Sequence, residues 1–158
     1  MIRFLALSLL LASPVVAEDE LPACTTWSAQ MQEDEGGEVF TASACATDRP
    51  DAFMMLTCSA GEVFIRYDLA AGAERSPDLG ERAGVDFTIG VNIQRVPMTY
   101  QEMDGLFAGP VPAGGPLITL MRSGDSMTLA DGDGRYPIHT FSLVGSSGSL
   151  GALLERCF

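Results

Sequence analysis

His139 is the only histidine in the chain, and Ser146, Ser147 and Ser149 follow it in "HTFSLVGSSGSL", where a strand pattern gives way to a helical one. A strand, a tight Gly/Ser turn and a helix is how many hydrolases present an activated serine beside its base. The spacing does not support that chemistry. G-x-S-x-G would require glycine at 149, but the run reads Gly145, Ser146, Ser147, Gly148, Ser149. His139 lies eight residues before Ser147 on an extended segment, and at about 3.3 Å per residue the two are far apart. No catalytic residue is therefore assigned. His139, in phase with Phe141 and Leu143, is expected to be partly buried with a hydrogen-bond partner, and the serines to help cap a terminal helix.

Metal chemistry fares no better. Asp131-Gly132-Asp133-Gly134 looks like the opening of a calcium loop, but counting from Asp131 the twelfth position, which should be a glutamate, is Ser142. A turn between strands is the expectation. Glu33, Asp34, Glu35 and Glu38 read as a solvated hairpin tip. Met54, Met55, Met98, Met103, Met121 and Met127 show no Met-x-x-Met or His-Met grouping of the kind soft copper needs, so core filling is expected. Trp27, the single tryptophan, is expected to pack over a disulfide near Cys24 rather than bind a sugar. No metal and no cofactor is expected.

Four cysteines remain: Cys24, Cys45, Cys58 and Cys157. An even number in an exported chain reads as two disulfides, and three pairings are possible. The elements that carry them narrow the choice. "TTWSAQMQ" and "EVFTASACA" flank Gly36-Gly37 and form a hairpin whose cross-strand partners should sum to about 71. On that register Cys24 and Cys45 come close to facing each other, which leaves Cys58 for Cys157. A second hairpin joins "AFMMLTCS" to "EVFIRYDL" at Ala60-Gly61, with Cys58 on the same face as Met54 and Leu56.

Residues 70–84 read as a surface loop, and "VDFTIGVNIQR", residues 85–95, as the clearest single strand, alternating at every position. A helical turn is expected from Thr99 to Phe107, followed by a Pro/Gly loop to Pro116. "LITLMR" and "SMTLAD" are expected to form a third hairpin around Gly124-Asp125. "YPIHTFSLVG" is the last strand, and Leu150, Leu153, Leu154 and Cys157 fall on one face of a closing helix. The fold class that results is mainly β: an antiparallel β-sandwich or open barrel of about eight strands, closed by a C-terminal helix.

Residues 1–17 carry Arg3, an apolar run and the ending Val15-Val16-Ala17, followed by Glu18-Asp19-Glu20. This reads as a signal peptide, with residues 18–158 as a single disulfide-bonded β-rich domain. "LPAC" at 21–24 has the look of a lipoprotein box, but the acidic triplet separates it from the apolar run, so a lipid anchor is not expected. The formal net charge is −12, one unit more negative once Arg3 is removed, and every basic residue is arginine. These arginines are scattered singly, which excludes nucleic acid as a partner. No transmembrane segment is expected after the leader, and the expected location is the periplasm.

"MMLTCSAGEVFIRYDL" and "YPIHTFSLVGSSGSLGALLERC" resemble small periplasmic proteins of Gram-negative bacteria, the type VI secretion-associated TagO/VasI-like group and, loosely, the invasion-associated locus B proteins. Phe141, Leu143, Gly145, Leu150, Leu153 and Cys157 carry the ending of that pattern and Cys58 its strand cysteine, while Ser149 departs from it. The resemblance implies a β-rich accessory protein without catalysis that acts on another envelope component, with a disulfide from Cys58 to Cys157. "LTCSAGEVFIRYDL" also looks like the strand-turn-strand of periplasmic lysozyme inhibitors, which makes such an inhibitor the alternative reading and a small hydrolase the third. Residues 70–84 and 105–116 are the loops expected to bind.

Overall fold

The structure, a computed structural model, describes residues 24–34, 36–59 and 62–158. The expected signal peptide, the acidic triplet, residues 21–23 of the lipoprotein-like box, Glu35 and the turn expected at Ala60-Gly61 lie outside the described residues.

Alternating apolar positions and Gly-containing turns build the first four strands as consecutive hairpins: β1 (Ser28–Asp34), β2 (Gly37–Cys45), β3 (Phe53–Ser59) and β4 (Glu62–Tyr67). The first hairpin holds the register read from its turn, with Ser28 opposite Ser43 and Met31 opposite Phe40. On β3 and β4, Met54, Leu56, Val63, Ile65 and Tyr67 turn inward and are wholly buried. Residues 68–81 then cross over to β5 (Arg82–Ile89), from which β6 (Asn92–Gln101) and β7 (Leu106–Val111) return as a meander to lie beside β4. Three hairpin-linked strands and a fourth reached by a long connection make this a Greek key. A helix, α1 (Pro116–Ser123), leads to β8 (Ser126–Asp131) beside β5, then come β9 (His139–Ser142) and the terminal helix α2 (Ser146–Cys157).

The result is one nine-stranded antiparallel sheet in the order β1-β2-β3-β4-β7-β6-β5-β8-β9, left open rather than closed into a barrel. It bends sharply at its middle. β6 and β7 pair only through Thr99–Gln101 with Leu106–Ala108, whereas β5 pairs with β6 as far as Asn92 and β4 with β7 as far as Val111. Pro97 and Pro110 stand where the β6–β7 ladder would continue, and neither has an N–H to give it. The sheet thereby divides into two leaves that face each other. Tyr67 on β4 meets the Phe141 ring of β9 at 5.8 Å, edge to face, across the core between them.

The open side is covered by the helices. Leu150 and Leu153 of α2 and Leu117, Ile118 and Met121 of α1 are buried, and α2 lies along β1, β2 and β3. Each such leucine contributes about 1.5–3 kcal/mol by leaving water. Cys58 on β3 is bonded to Cys157 in the last turn of α2, with Cα atoms 5.6 Å apart, and Cys24 is bonded to Cys45, 5.1 Å apart.

Four local expectations are corrected. Residues 85–95 are not one strand: Gly90, at φ +58°, and Val91 form a tight turn, and Val91 is 96 % exposed. Residues 99–107 hold no helical turn, because the β6–β7 hairpin occupies them, and the first part of the expected Pro/Gly loop, through Val111, is β7. "LITLMR" is α1 rather than a strand; Pro116 sits at its first turn, where a missing N–H costs nothing, and Gly124 ends it against Ile89 and Leu143. Among the described residues, nine strands and two helices replace about eight and one.

Candidate functional site

His139 is buried, 1 % exposed, and its Nε2 lies 3.2 Å from the Ala71 carbonyl oxygen. No serine meets it. Its other nitrogen, Nδ1, faces Asp48 Oδ2 at 3.5 Å, and the Tyr67 ring stands edge-on at 6.1 Å. Burial pushes the Asp48 carboxyl up, but the Thr140 N–H, donating to Oδ1 at 2.7 Å, and the imidazole outweigh it and hold it below its ordinary value. The Tyr67 hydroxyl is raised well above its usual range by burial, then by Asp68 and Asp48.

Ser146 is engaged elsewhere. Ser146 Oγ lies 2.6 Å from the Met121 carbonyl and 2.7 Å from that of Leu143, a buried tie between α1 and the entry to α2. The expected serine caps are absent: the N-cap of α2 is Gly145 in the left-handed region at φ +84°, and no side chain caps the helix. A Cβ at Gly145 would stand 2.8 Å from the Trp27 carbonyl oxygen, so glycine there serves close approach as well as turn geometry. Trp27 joins the core, its Nε1 donating to Ser142 O at 2.9 Å, while the Cys24–Cys45 bridge lines a depression on the outer face with Ser28, Ser43 and Phe53. Packing of the indole over that disulfide is therefore corrected.

At the same end of the sheet as His139, a charged network closes the crossover loop. Glu81 Oε1 accepts from Arg135 Nη1 and from the Tyr136 hydroxyl, each at 2.8 Å, and Oε2 accepts from the Asp78 N–H and from Arg75. Burial pulls the Glu81 carboxyl upward, but these donors hold it below the ordinary value; Tyr136 is pushed up to about 12 by burial and by Glu81. Arg135 in turn reaches Asp131 through its backbone N–H at 3.0 Å, Nε at 2.8 Å and Nη2 at 3.1 Å. The Asp131–Gly134 run is thus a turn whose first carboxylate is spent on an arginine. The loop at 70–84, counted among the binding loops from sequence, is pinned through Arg75 and Glu81.

The opposite end is less satisfied. Where β6 and β7 part, a cleft of about 280 Å³ opens, lined by Gln94, Arg95, Val96, Pro97, Pro110, Val111, Pro112 and the start of α1 at Gly115, Pro116 and Leu117. Pro97 O points across it, and a Cβ on Gly109 would meet that oxygen at 2.5 Å, so glycine alone lets the strands converge just below. Val91 and Ile93, 96 % and 61 % exposed, project from the β5–β6 turn at this end, and Pro110, Val111 and Pro112 continue into a shallow surface bounded by Glu62. Glu33 and Glu38 stand directly opposite each other at the neighbouring hairpin tip, a like-charge pair that destabilises its own strands. Arg95 is engaged: it forks onto Asp86 with two bonds of 2.6 Å.

Of the loops read as binding elements, 105–116 supplies this cleft and 70–84 does not. Sequence reasoning placed Pro110, Pro112 and Pro116 in a Pro/Gly loop; that these and Pro97 would line one cleft depends on the parting of two strands, which no local pattern reveals. Among the described residues, no three His, Cys, Asp or Glu side chains gather to hold a metal ion, and no helix is long and apolar enough to cross a membrane. Comparison with protein-family models, with curated proteins and with solved structures finds no match to this chain.

Proposed function

We propose that this chain is a non-enzymatic, exported periplasmic protein that binds another envelope component through the β6–β7 cleft. The observation that carries the reading is the edge of β6 from Asn92 to Met98 that β7 leaves unpaired, opposite three prolines and beside exposed Val91 and Ile93. An extended segment laid there finds main-chain groups on one side and apolar seats on the other, the mode in which sheets accept an added strand. The preferred occupant is a cationic segment with apolar anchors, because Glu62 borders the surface that continues from the cleft and the chain carries a net charge of −12. Two disulfides suit an oxidising compartment, and the resemblance to small Gram-negative periplasmic proteins points the same way.

The test compares the oxidised protein with Pro112→Arg, an exposed position, in capture from envelope extracts followed by titration with the captured partner. The wild type should retain a partner that the variant binds at least about ten-fold more weakly, as one repelled charge in a docking site costs about 1.4 kcal/mol or more. Equal capture by both, or turnover of a substrate that disappears on mutating His139, would overturn the reading. Inhibition of a purified lysozyme, undiminished in the variant, would favour the inhibitor alternative.

A further inference from the structure

The outer face of the leaf that begins with β1 carries a second depression, of about 280 Å³, which shares no residue with the β6–β7 cleft. Strand register builds it. Ser28, Gln30 and Gln32 point outward from alternate positions of β1, a run of about 14 Å at about 3.4 Å per residue. Ser28 stands opposite Ser43, and Ser43 opposite Met55; one step along, Cys45 of the first disulfide stands opposite Phe53. Hydroxyl and amide groups thus line the β1 side, and a thioether and a phenyl ring the β3 side.

Two properties set this lining apart. No charged side chain belongs to it, although the chain as a whole carries a net charge of −12. Among the described residues, moreover, none of the Ser28, Gln30, Gln32 and Ser43 side chains meets a hydrogen-bond partner; the Thr41 hydroxyl donates to the main-chain oxygen of Gln30 at 3.4 Å and not to its side chain. Phe53, beside them, is 36 % exposed.

These properties select a ligand by exclusion and by fit. An ion would shed water against a lining that offers it no counter-charge. A peptide cannot add a strand across this face, because β1, β2 and β3 are already paired to one another beneath it. Amides and hydroxyls both donate and accept, as the adjacent hydroxyls of a sugar ring do, and the C–H face of such a ring packs on a phenyl group. We infer that this depression is a binding site for a neutral saccharide of disaccharide length, one ring lying on Phe53 and Met55 and the hydroxyls shared among Ser28, Ser43, Gln30 and Gln32. The site is separate from the cleft and takes a ligand of a different class.

The oxidised protein is titrated with cellobiose, maltose and N,N′-diacetylchitobiose and followed by nitrogen-15 correlation. The chain has four glutamines, so their side-chain amide signals are readily told apart. Those of Gln30 and Gln32 should shift saturably with at least one of the three sugars, with a millimolar Kd, while those of Gln94 and Gln101 stay in place. Added salt should leave that Kd unchanged, because no charge is paired. Phe53→Ala and Gln30→Ala, both at exposed positions, should each weaken binding by about five-fold or more. Pro112→Arg should bind the sugar as the wild type does, which separates this site from the cleft. No saturable shift with any of the three sugars, or undiminished affinity in Phe53→Ala and Gln30→Ala, overturns the inference. If Phe53→Ala does not fold, Gln30→Ala alone decides it.

Discussion

Asp131→Ala removes the carboxylate that anchors the β8–β9 turn. It accepts three hydrogen bonds from Arg135, the residue is 5 % exposed, and Arg135 hands the connection on to Glu81 in the crossover loop. Breaking a fully buried ion pair costs about 3–5 kcal/mol. Here the cost is smaller, because the Arg135 side chain is 31 % exposed and keeps Glu81, so it rehydrates in the variant. Charge-assisted bonds of this kind are worth about 1.5–3 kcal/mol together once solvent access is allowed for, and about 2 kcal/mol is expected. In urea that is a fall in midpoint of about 1 M. Trp27, buried and singular, supplies the fluorescence signal. The Asp131 carboxyl is pulled up by burial, but the Arg135 bonds outweigh this and set it below its ordinary 3.8. A depressed carboxylate stabilises the fold above its unfolded pKa, and that contribution is lost as pH falls through the folded value. The gap between wild type and variant should therefore be constant from pH 7 to about 4.5 and shrink below pH 3.8. A gap under about 0.5 kcal/mol at pH 7, or one that persists undiminished in acid, would refute the reasoning.

Gly145→Ala forces a left-handed backbone on a residue with a Cβ and drives that atom against the Trp27 carbonyl, so a loss of about 2 kcal/mol is expected by thermal or urea unfolding, with the Trp27 emission shifted in the folded state. Replacing Cys58 and Cys157 by Ala opens a connection 99 residues apart in sequence, against 21 for Cys24 and Cys45; the first double variant should lose more stability than the second, by about 1 kcal/mol on loop entropy alone, and equal urea midpoints would contradict this.

Where the chain announces its own turns, the sequence was readable. Gly36-Gly37 between two alternating segments placed the first hairpin in its observed register, and the leucine spacing from Leu150 to Leu154 marked α2. The Gly90-Val91 turn escaped because Val91 keeps the apolar phase of Ile89 and Ile93, so the alternation runs straight through the bend. α1 escaped because a six-residue apolar run with Ile118 and Thr119 fits a buried strand as well as a helix; Pro116 ahead of it and Gly124 behind it were the signals that could have decided. Likewise Asp104-Gly105 marked the β6–β7 turn that the helical reading of Thr99–Phe107 passed over. The cleft was not legible at all. It arises from where two strands of one hairpin stop pairing, an outcome of Pro97 and Pro110 standing opposite each other in the β6–β7 register. The environment of His139 was half legible: its phase gave burial, but Asp48 and Ala71 reach it from loops that only the curled sheet brings near.

The two disulfides follow one another along the chain without interleaving, Cys24–Cys45 first and Cys58–Cys157 after it. The second closes a covalent ring that contains the crossover loop, the cleft, both helices and His139. A protease that cuts once at any exposed turn inside that ring, such as Gly90-Val91 or Asp104-Gly105, severs the backbone yet releases no fragment. The nicked molecule keeps its mass and its contacts, and only reduction separates the pieces. Damage at the surface within the ring is thereby uncoupled from loss of the fold.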